Sequence, residues 1–315
     1  MSKILVTGGS GFIGSRVVAR LAGEGHAVRV PTRSRQHARH LLLLPTVEVI
    51  EADVHDDASL DGLAAGCDAV VNLVGILHSR SGNPYGPDFA AAHVALPRRI
   101  LDACYRSGTR RLVHLSALGA APDAPSEYLR SKSAGEEVLI AARTRMDITV
   151  FRPSVVFGPG DHFLNLFAAL CRIAPVLFLA CPGARFQPVH VDDVAECVAR
   201  SLSGKDSIHR RYDLCGPEVH TLRELVEFAG AVSGHRRPVI GLPDSLAWCQ
   251  AWMMEWLPRK LLTRDNLRSM QVPSTSSAEF PFGIRPRSMK ATAPAWLSPE
   301  ANQSHYNGFR GRAGR

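Results

Sequence analysis

The first fourteen residues constrain the fold more than any other stretch. Lys3–Thr7 reads Lys-Ile-Leu-Val-Thr, a short strand-forming run, and leads directly into Gly8-Gly9-Ser10-Gly11-Phe12-Ile13-Gly14. Helical spacing of apolar residues then occupies Phe12–Ala22. In this strand–turn–helix setting each glycine has a separate physical use. Gly8 allows a sharp turn with unusual dihedrals, and Gly11 removes a Cβ from the path of a pyrophosphate. Gly14 lets the helix sit close to the sheet. The amides and dipole at the start of that helix favour a phosphate there. A glycine triplet alone serves many turns; in this context it predicts dinucleotide binding.

The next 140 or so residues repeat the strand–helix alternation. Strands are expected at His26–Val30, Val47–Glu51, Ala69–Val74, Arg111–Ser116 and Ile148–Arg152. Helices are expected at Arg35–Leu43, Ala58–Ala65, Phe89–Ser107 and Tyr128–Ala142. The strands are continuous apolar runs, as required when helices cover both faces of a sheet. Repeated units of this kind give an α/β fold, a Rossmann-type doubly wound parallel sheet. After Pro153 the texture becomes irregular, and only Phe186–Val191 and Tyr212–Leu214 still resemble strands. We therefore expect a dinucleotide-binding domain over 1–157, with later returns to its sheet near 186–203 and 211–215. A smaller C-terminal, substrate-side lobe is expected over 158–297, and a flexible basic tail over 298–315.

Composition excludes several classes. Hydrophobic content of 45% and charged content of 21% describe a globular chain and not a disordered one. The seven cysteines are scattered without a C-x-x-C pair, which argues for reduced thiols and against a disulfide framework. The thirteen histidines form no H-E-x-x-H motif, and His37 and His40 fall on a basic helix start, so no metal site is predicted. Met1-Ser2-Lys3 gives way to glycines too early for a signal peptide. The most apolar window, Leu164–Cys181, is broken by Asn165, Arg172 and Pro175 and fails as a membrane span. A net charge of +8 with a pI near 9.4 reads as a dispersed basic surface; no nucleic-acid module is recognisable and no nucleic-acid partner is expected.

Two further motifs bear on chemistry. The second strand ends Val30-Pro31-Thr32-Arg33-Ser34-Arg35, without the acidic residue that would accept from the adenosine ribose of NAD. Arg33 can stack on adenine and, with Arg35, neutralise a 2′-phosphate, which favours NADP(H) while leaving NAD(H) open. Asp53-Val54 follows the third strand, where Asp53 either accepts from the adenine amino group or caps a helix. Tyr128-Leu129-Arg130-Ser131-Lys132 places a tyrosine and a lysine four apart on one helical face. There the ammonium can lower the phenol pKa and hold the nicotinamide ribose, making Tyr128 a proton donor or acceptor.

With both motifs present, the chain up to about Leu297 resembles an extended or atypical short-chain dehydrogenase/reductase of the NAD-dependent epimerase/dehydratase type. It is most similar to the group of the 39-kilodalton accessory subunit of respiratory complex I and its bacterial relatives. The closer likeness rests on Val71–Gly75, Tyr128–Lys132, Phe151–Gly158, Gln187–Ala195 and Leu262–Leu267. The resemblance implies that Gly8, Gly11, Phe12, Ile13 and Gly14 line the pyrophosphate and that Asp53-Val54 meets adenine. It also implies that Leu73, Val74 and Gly75 border the adenosine ribose, with Pro153 and Val155 by the nicotinamide. One position departs from the pattern. Catalytic members carry Ser or Thr just past the fifth strand, and alignment of Arg111–Ala117 puts Ala117 there, with Ser116 one residue early. Strand residues alternate faces, so either a bend re-aims Ser116 or the substrate-polarising hydroxyl is gone.

Two functional classes follow. One is an NAD(P)-dependent oxidoreductase or epimerase acting through Tyr128 and Lys132 on an unknown small molecule. The other binds the nucleotide as a structural or sensing element and serves a respiratory complex as an accessory or assembly partner. A cytoplasmic chain is expected, with a peripheral place at the inner membrane surface under the second reading. Trp248, Trp252 and Trp256 recur every fourth residue between Pro243 and Pro258, widened by Met253 and Leu257 and followed by Arg259 and Lys260. That stripe is either the core of the smaller lobe or a face for a membrane surface or membrane-complex partner.

Overall fold

In a computed structural model describing residues 1–257 and 260–299, the glycine turn sits where the sequence places it. β1 (Lys3–Thr7), α1 (Phe12–Gly23), β2 (Ala27–Thr32), β3 (Val47–Glu51), α2 (Asp57–Ala64) and β4 (Ala69–Asn72) come first. α3 (Pro87–Phe89) runs through a π-helical segment, Ala90–Ala95, into α4 (Leu96–Ser107). β5 (Arg111–Leu115), α5 (Glu127–Ile140) and β6 (Asp147–Pro153) follow. Beyond them lie β7 (Val156–Phe157), α6 (Leu164–Ile173), β8 (Leu177–Leu179), β9 (Arg185–Phe186) and β10 (Val189–His190). Next come α7 (Val191–Ser203), β11 (Arg211–Leu214), β12 (His220–Thr221), α8 (Leu222–Val232), β13 (Val239–Gly241), α9 (Asp244–Met254) and α10 (Arg264–Ser269).

Seven strands form one sheet in the order β11-β6-β5-β4-β1-β2-β3, all neighbours parallel. A parallel sheet buries both faces, and all four residues of β4 are buried. On one face Leu5, Val70, Leu112 and Ile148 meet Leu60, Leu96, Ile100 and Leu139 from the helices. The strand order reverses between β1 and β4. In such sheets a ligand crevice opens beyond the carboxyl ends of the strands at the reversal, where the glycine turn lies.

The chain divides into two compact units. One comprises Met1–Pro153, Val191–Leu214 and Ser277–Arg285; the other comprises, among the described residues, Ser154–His190, Cys215–Ser276 and 286–299. The expected return at Tyr212–Leu214 pairs with β6 in the main sheet. The expected strand Phe186–Val191 does not. Pro188 has no amide to donate and splits the run into two pairs of residues. β9 pairs with β12 and β10 with β7, away from the seven-stranded sheet. Arg35–Leu43, expected as an α-helix, is a tighter 3-10 stretch over Arg35–Leu41, with His37 N donating to Ser34 O at 3.1 Å. The return at Ser277–Arg285 carries no periodic signal in sequence. It is anchored by Phe282, whose ring lies 5.4 Å from Tyr212 and 6.4 Å from Phe151.

In the second unit Phe157, Leu164, Leu179, Leu222, Leu225 and Val226 form the core. The tryptophan stripe is not part of it, which corrects the core reading. The buried residues of α9 are Ala247 and Ala251, packed with Ala180 and Leu267, while Trp248 and Trp252 one position on are 40% and 48% exposed. Small alanines let α9 seat closely, and the indoles are rotated away. Among the described residues no helix is long and apolar enough to cross a membrane. The proposed tail over 298–315 lies, from residue 300, outside the described residues.

In the first unit a buried ion pair ties α5 to β6. Arg152 Nε and Nη2 donate to Glu136 Oε1 and Oε2 at 2.7 and 2.6 Å, and the Glu136 side chain is 2% exposed. Removing Arg152 would leave the buried carboxylate only Arg211 Nη1, at 3.7 Å from a half-exposed side chain, which is costlier than removing both members of the pair. Arg152→Met is expected to destabilise the fold by about 3–5 kcal/mol in urea unfolding, and pairing it with Glu136→Gln should restore much of that. A single variant as stable as the wild type would contradict this account.

Candidate functional site

The turn after β1 is built on backbone closeness. Gly8 has φ +75, and a Cβ there would stand 3.0 Å from Leu73 C and Val74 N. Gly14 lies so close to the Gly8 carbonyl that a Cβ would overlap it. Gly11 N donates to Gly8 O at 3.1 Å, and Gly11 is the N-cap of α1, with no side-chain cap and no acidic residue in the first turn. The first-turn amides at Phe12 and Ile13 therefore have no capping side chain, the arrangement a phosphate group fits. The loop expected to line a pyrophosphate and the Leu73–Gly75 segment expected at the ribose are thus brought side by side.

At the end of β2, Arg33 is exposed, whereas Arg35 Nη2 reaches back to Val49 O at 3.5 Å. Thr32 is buried and its Oγ1 donates to Ser34 O at 3.0 Å. Arg33 is the cation available beside the glycine turn's strand; Arg35 is partly committed to β3. Asp53 does not cap α2. Its Oδ1 accepts from His55 N at 2.9 Å in a local turn, and Asp56 is the cap, accepting from Ser59 N at 2.8 Å. Three intervening residues separate Asp53 from the helix start, too far for the cap geometry. Val54 packs against the apolar core.

Lys132 and Tyr128 lie on α5 as their spacing requires. Lys132 is buried, its Nζ donates to Leu115 O at 3.3 Å, and a Cβ on Gly75 would stand 3.1 Å from that Nζ. Burial pushes the Lys132 ammonium down to about 8, with Glu136 opposing. Tyr128 responds to burial in the other sense, its phenol pushed up to about 12. This corrects the expectation of a phenol lowered by the lysine: desolvation dominates, and Lys132 is spent on a carbonyl. Raised in this way, the Tyr128 phenol keeps its proton at neutral pH.

His93 is a residue the sequence reading missed. It sits in the π-helical segment, and its ring lies 5.6 Å from Tyr128. Ile76 N donates to its Nε2 at 3.1 Å, so Nδ1 carries the proton and donates to Ser131 Oγ at 2.8 Å. Ser131 Oγ in turn donates to Tyr128 O at 2.7 Å. Gly135 has no room for a Cβ against the His93 carbonyl, so the segment seats directly on α5. The sequence signals were Ser131 and Gly135 within the tyrosine–lysine helix; nothing local marked His93.

The sequence from Ile4 to Cys215 matches the NAD dependent epimerase/dehydratase family over residues 4–215. NADH dehydrogenase (ubiquinone) 1 alpha subcomplex subunit 9 of Rattus norvegicus is 32% identical, covering 95% of this chain and 83% of that protein. This chain belongs to that family. The corresponding Arabidopsis thaliana subunit is 31% identical over 81% of this chain but only 64% of its own length. A dTDP-glucose 4,6-dehydratase from Streptomyces venezuelae, solved with NAD bound, shares the fold with a TM-score of 0.74 at 22% identity, covering 98% of both chains. The glycine cradle described above has the form that a dinucleotide's phosphates fit.

Within this epimerase/dehydratase frame the departure at Ala117 takes physical form. The Ala117 methyl lies in a small apolar cluster with Ala124, Leu129 and the Tyr128 ring. Ser116 is buried with its N donating to Phe151 O at 2.7 Å, and its Oγ has no hydrogen-bond partner among the described residues. Two residues earlier, His114 is equally buried. Asn72 Oδ1 accepts from Thr7 Oγ1 at 2.9 Å and from Val74 N at 3.2 Å, so Asn72 Nδ2 donates to His114 Nδ1 at 3.2 Å. His114 Nε2 is left without a partner among the described residues. Pro153 ends β6, its carbonyl accepting from Leu118 N at 3.0 Å. Val155 belongs to the second unit, where its carbonyl accepts from Val189 N at 2.9 Å.

Burial pushes His93 down to about 2 and His114 down to about 3, with the Lys132 charge adding to both. Unfolding returns each to the ordinary value of 6.5, so the unfolded chain takes up protons that the native chain refuses. Stability is then full above about pH 6.5 and declines below it, by about 1.4 kcal/mol per pH unit for each histidine. Urea unfolding at successive pH values from neutral downward should show this slope, and His93→Gln should remove roughly half of it. A flat profile would contradict the neutral, buried assignment.

Proposed function

We propose that this chain binds NADP(H) in preference to NAD(H) and holds it chiefly as a structural or sensing element. Conventional reductase or epimerase turnover is then weak or absent. The chain serves as an accessory or assembly partner of a respiratory complex and sits peripherally at a membrane surface. The observation that carries the weak-turnover reading is Ala117: it lies in the apolar cluster against which Tyr128 packs, at the position where the resemblance implies a substrate-polarising hydroxyl. The likeness to a subunit named for NADH dehydrogenase supports the partner reading. In the proposed site Gly8, Gly11, Phe12, Ile13 and Gly14 hold the pyrophosphate and Arg33 meets the 2′-phosphate. Asp53 and Val54 meet adenine, Leu73–Gly75 the ribose, and Lys132, Tyr128 and Pro153 the nicotinamide end. Bound there, the nicotinamide supplies or accepts a hydride.

The second reading, an active oxidoreductase or epimerase, is favoured by one feature. Lys132 lies within reach of Gly75, beside the segment assigned to the cofactor, and Tyr128 keeps its proton for donation. Ser116 would then have to supply the missing hydroxyl.

Cofactor choice is tested by titrating the protein with both reduced dinucleotides. NADPH is expected to bind more tightly, and Arg33→Ala should cost it about 1–3 kcal/mol while leaving NADH nearly unchanged. Equal wild-type affinities would sink the preference. Turnover is tested with sugar-nucleotide and carbonyl substrates. The wild type should be slow, and Ala117→Ser should raise kcat by about two orders of magnitude, the scale of one transition-state hydrogen-bond donor. Vigorous wild-type turnover abolished by Tyr128→Phe would favour the second reading instead.

A further inference from the structure

The exposed apolar side chains of the second unit are gathered on adjoining elements. On α9, Trp252 is 48% and Met253 61% exposed, and Trp256, just past the helix, is 78% exposed. β8 lies parallel to β13 with Phe178 opposite Ile240, both exposed. Gln250 Nε2 donates to Phe178 O at 3.1 Å, which joins α9 to that strand pair. At 100° per residue Gln250 falls on another side of α9 from Trp248 and Trp252, so the helix stripe and the strand pair are two exposed apolar patches of one unit. The buried side of α9 is made by Ala247 and Ala251, while Trp248 meets α10 through two arginines and Trp252 meets Trp256 edge to face.

The charges around this face have one dominant sign. Among the described residues from Arg236 to Arg268, five are basic, Arg236, Arg237, Lys260, Arg264 and Arg268, and three are acidic, Asp244, Glu255 and Asp265. Glu255 pairs with Arg264 at 2.9 Å and Asp265 with Arg268 at 4.0 Å, which leaves Arg236, Arg237 and Lys260 set against Asp244. Arg264 and Arg268 also stand over the Trp248 ring, at 5.8 and 5.4 Å from its centroid. Indoles beside cations suit the boundary between headgroups and acyl chains. There the ring is desolvated, the indole N–H keeps polar company, and basic side chains meet anionic headgroups. With no membrane-spanning helix among the described residues, such contact is superficial.

We infer that the Trp248–Trp252–Trp256 face of α9 docks on a bilayer carrying anionic lipid. This deepens the peripheral placement proposed above and names its contact surface; it does not depend on cofactor choice or turnover. The test uses the full chain and vesicles of phosphatidylcholine containing about 30% phosphatidylglycerol, alongside pure phosphatidylcholine. At low ionic strength the wild type should float with the anionic vesicles, with tryptophan emission blue-shifted and quenched by brominated lipid. Trp252→Ser with Trp256→Ser should lower the partition about tenfold or more, and Lys260→Glu should weaken it and flatten its salt dependence. NADPH titration of each variant checks that the first unit is intact, so failure here is distinct from failure of the dinucleotide reading. Equal binding by the double variant would overturn the inference. So would equal binding to both vesicle types, or wild-type self-association that shields these tryptophans in solution.

Discussion

Everything at the candidate site depends on one backbone contact. The Gly8 carbonyl faces Gly14 where any Cβ would collide, and Gly8 itself lies against Leu73 and Val74 at the exit of β4. That closeness sets α1 on the sheet and leaves its first amides pointing at the crevice where the strand order reverses. It also aligns Leu73–Gly75 with the turn, so Gly75 reaches Lys132. A side chain at any of these glycines would separate elements that every proposed cofactor contact needs together.

Around that contact the first unit is organised by buried polar groups. Thr7, Asn72 and His114 lie in register on β1, β4 and β5, and their hydrogen bonds run across the strands with little choice of donor. His93, Ser131 and Tyr128 form a second chain in which each proton is assigned by its partner. Such networks are costly when incomplete, which gives the unpartnered Ser116 Oγ and His114 Nε2 their interest. Both lie at the carboxyl end of β5, close to Ala117 in sequence, the position where the resemblance leads one to expect a hydroxyl.

The two units present different chemistry. The first spends its polar residues inward, on positioning Tyr128 and Lys132. The second spends alanine inward and tryptophan outward on α9, which is unusual, because an aromatic side chain ordinarily contributes far more than a methyl to a core. A family whose fold serves many reactions can carry functions on such added surfaces, separate from the crevice.

The parallel sheet, the glycine turn and the tyrosine–lysine helix were legible in sequence, because each rests on local physics: apolar runs, positive φ at glycine, and the turn of a helix. So was the missing carboxylate after β2. What the sequence by itself could not decide depends on contacts between distant residues. Whether Asp53 caps a helix was settled by Asp56 lying nearer to it, and the strand at Phe186–Val191 was broken by Pro188 and its different partners. His93 reaches Ser131 across 38 residues, and Tyr128 is raised and not lowered because burial outweighs a lysine already bonded elsewhere. The tryptophan stripe has the same four-residue period as the alanines beside it. Periodicity finds both faces of a helix; only packing in three dimensions selects which one is buried.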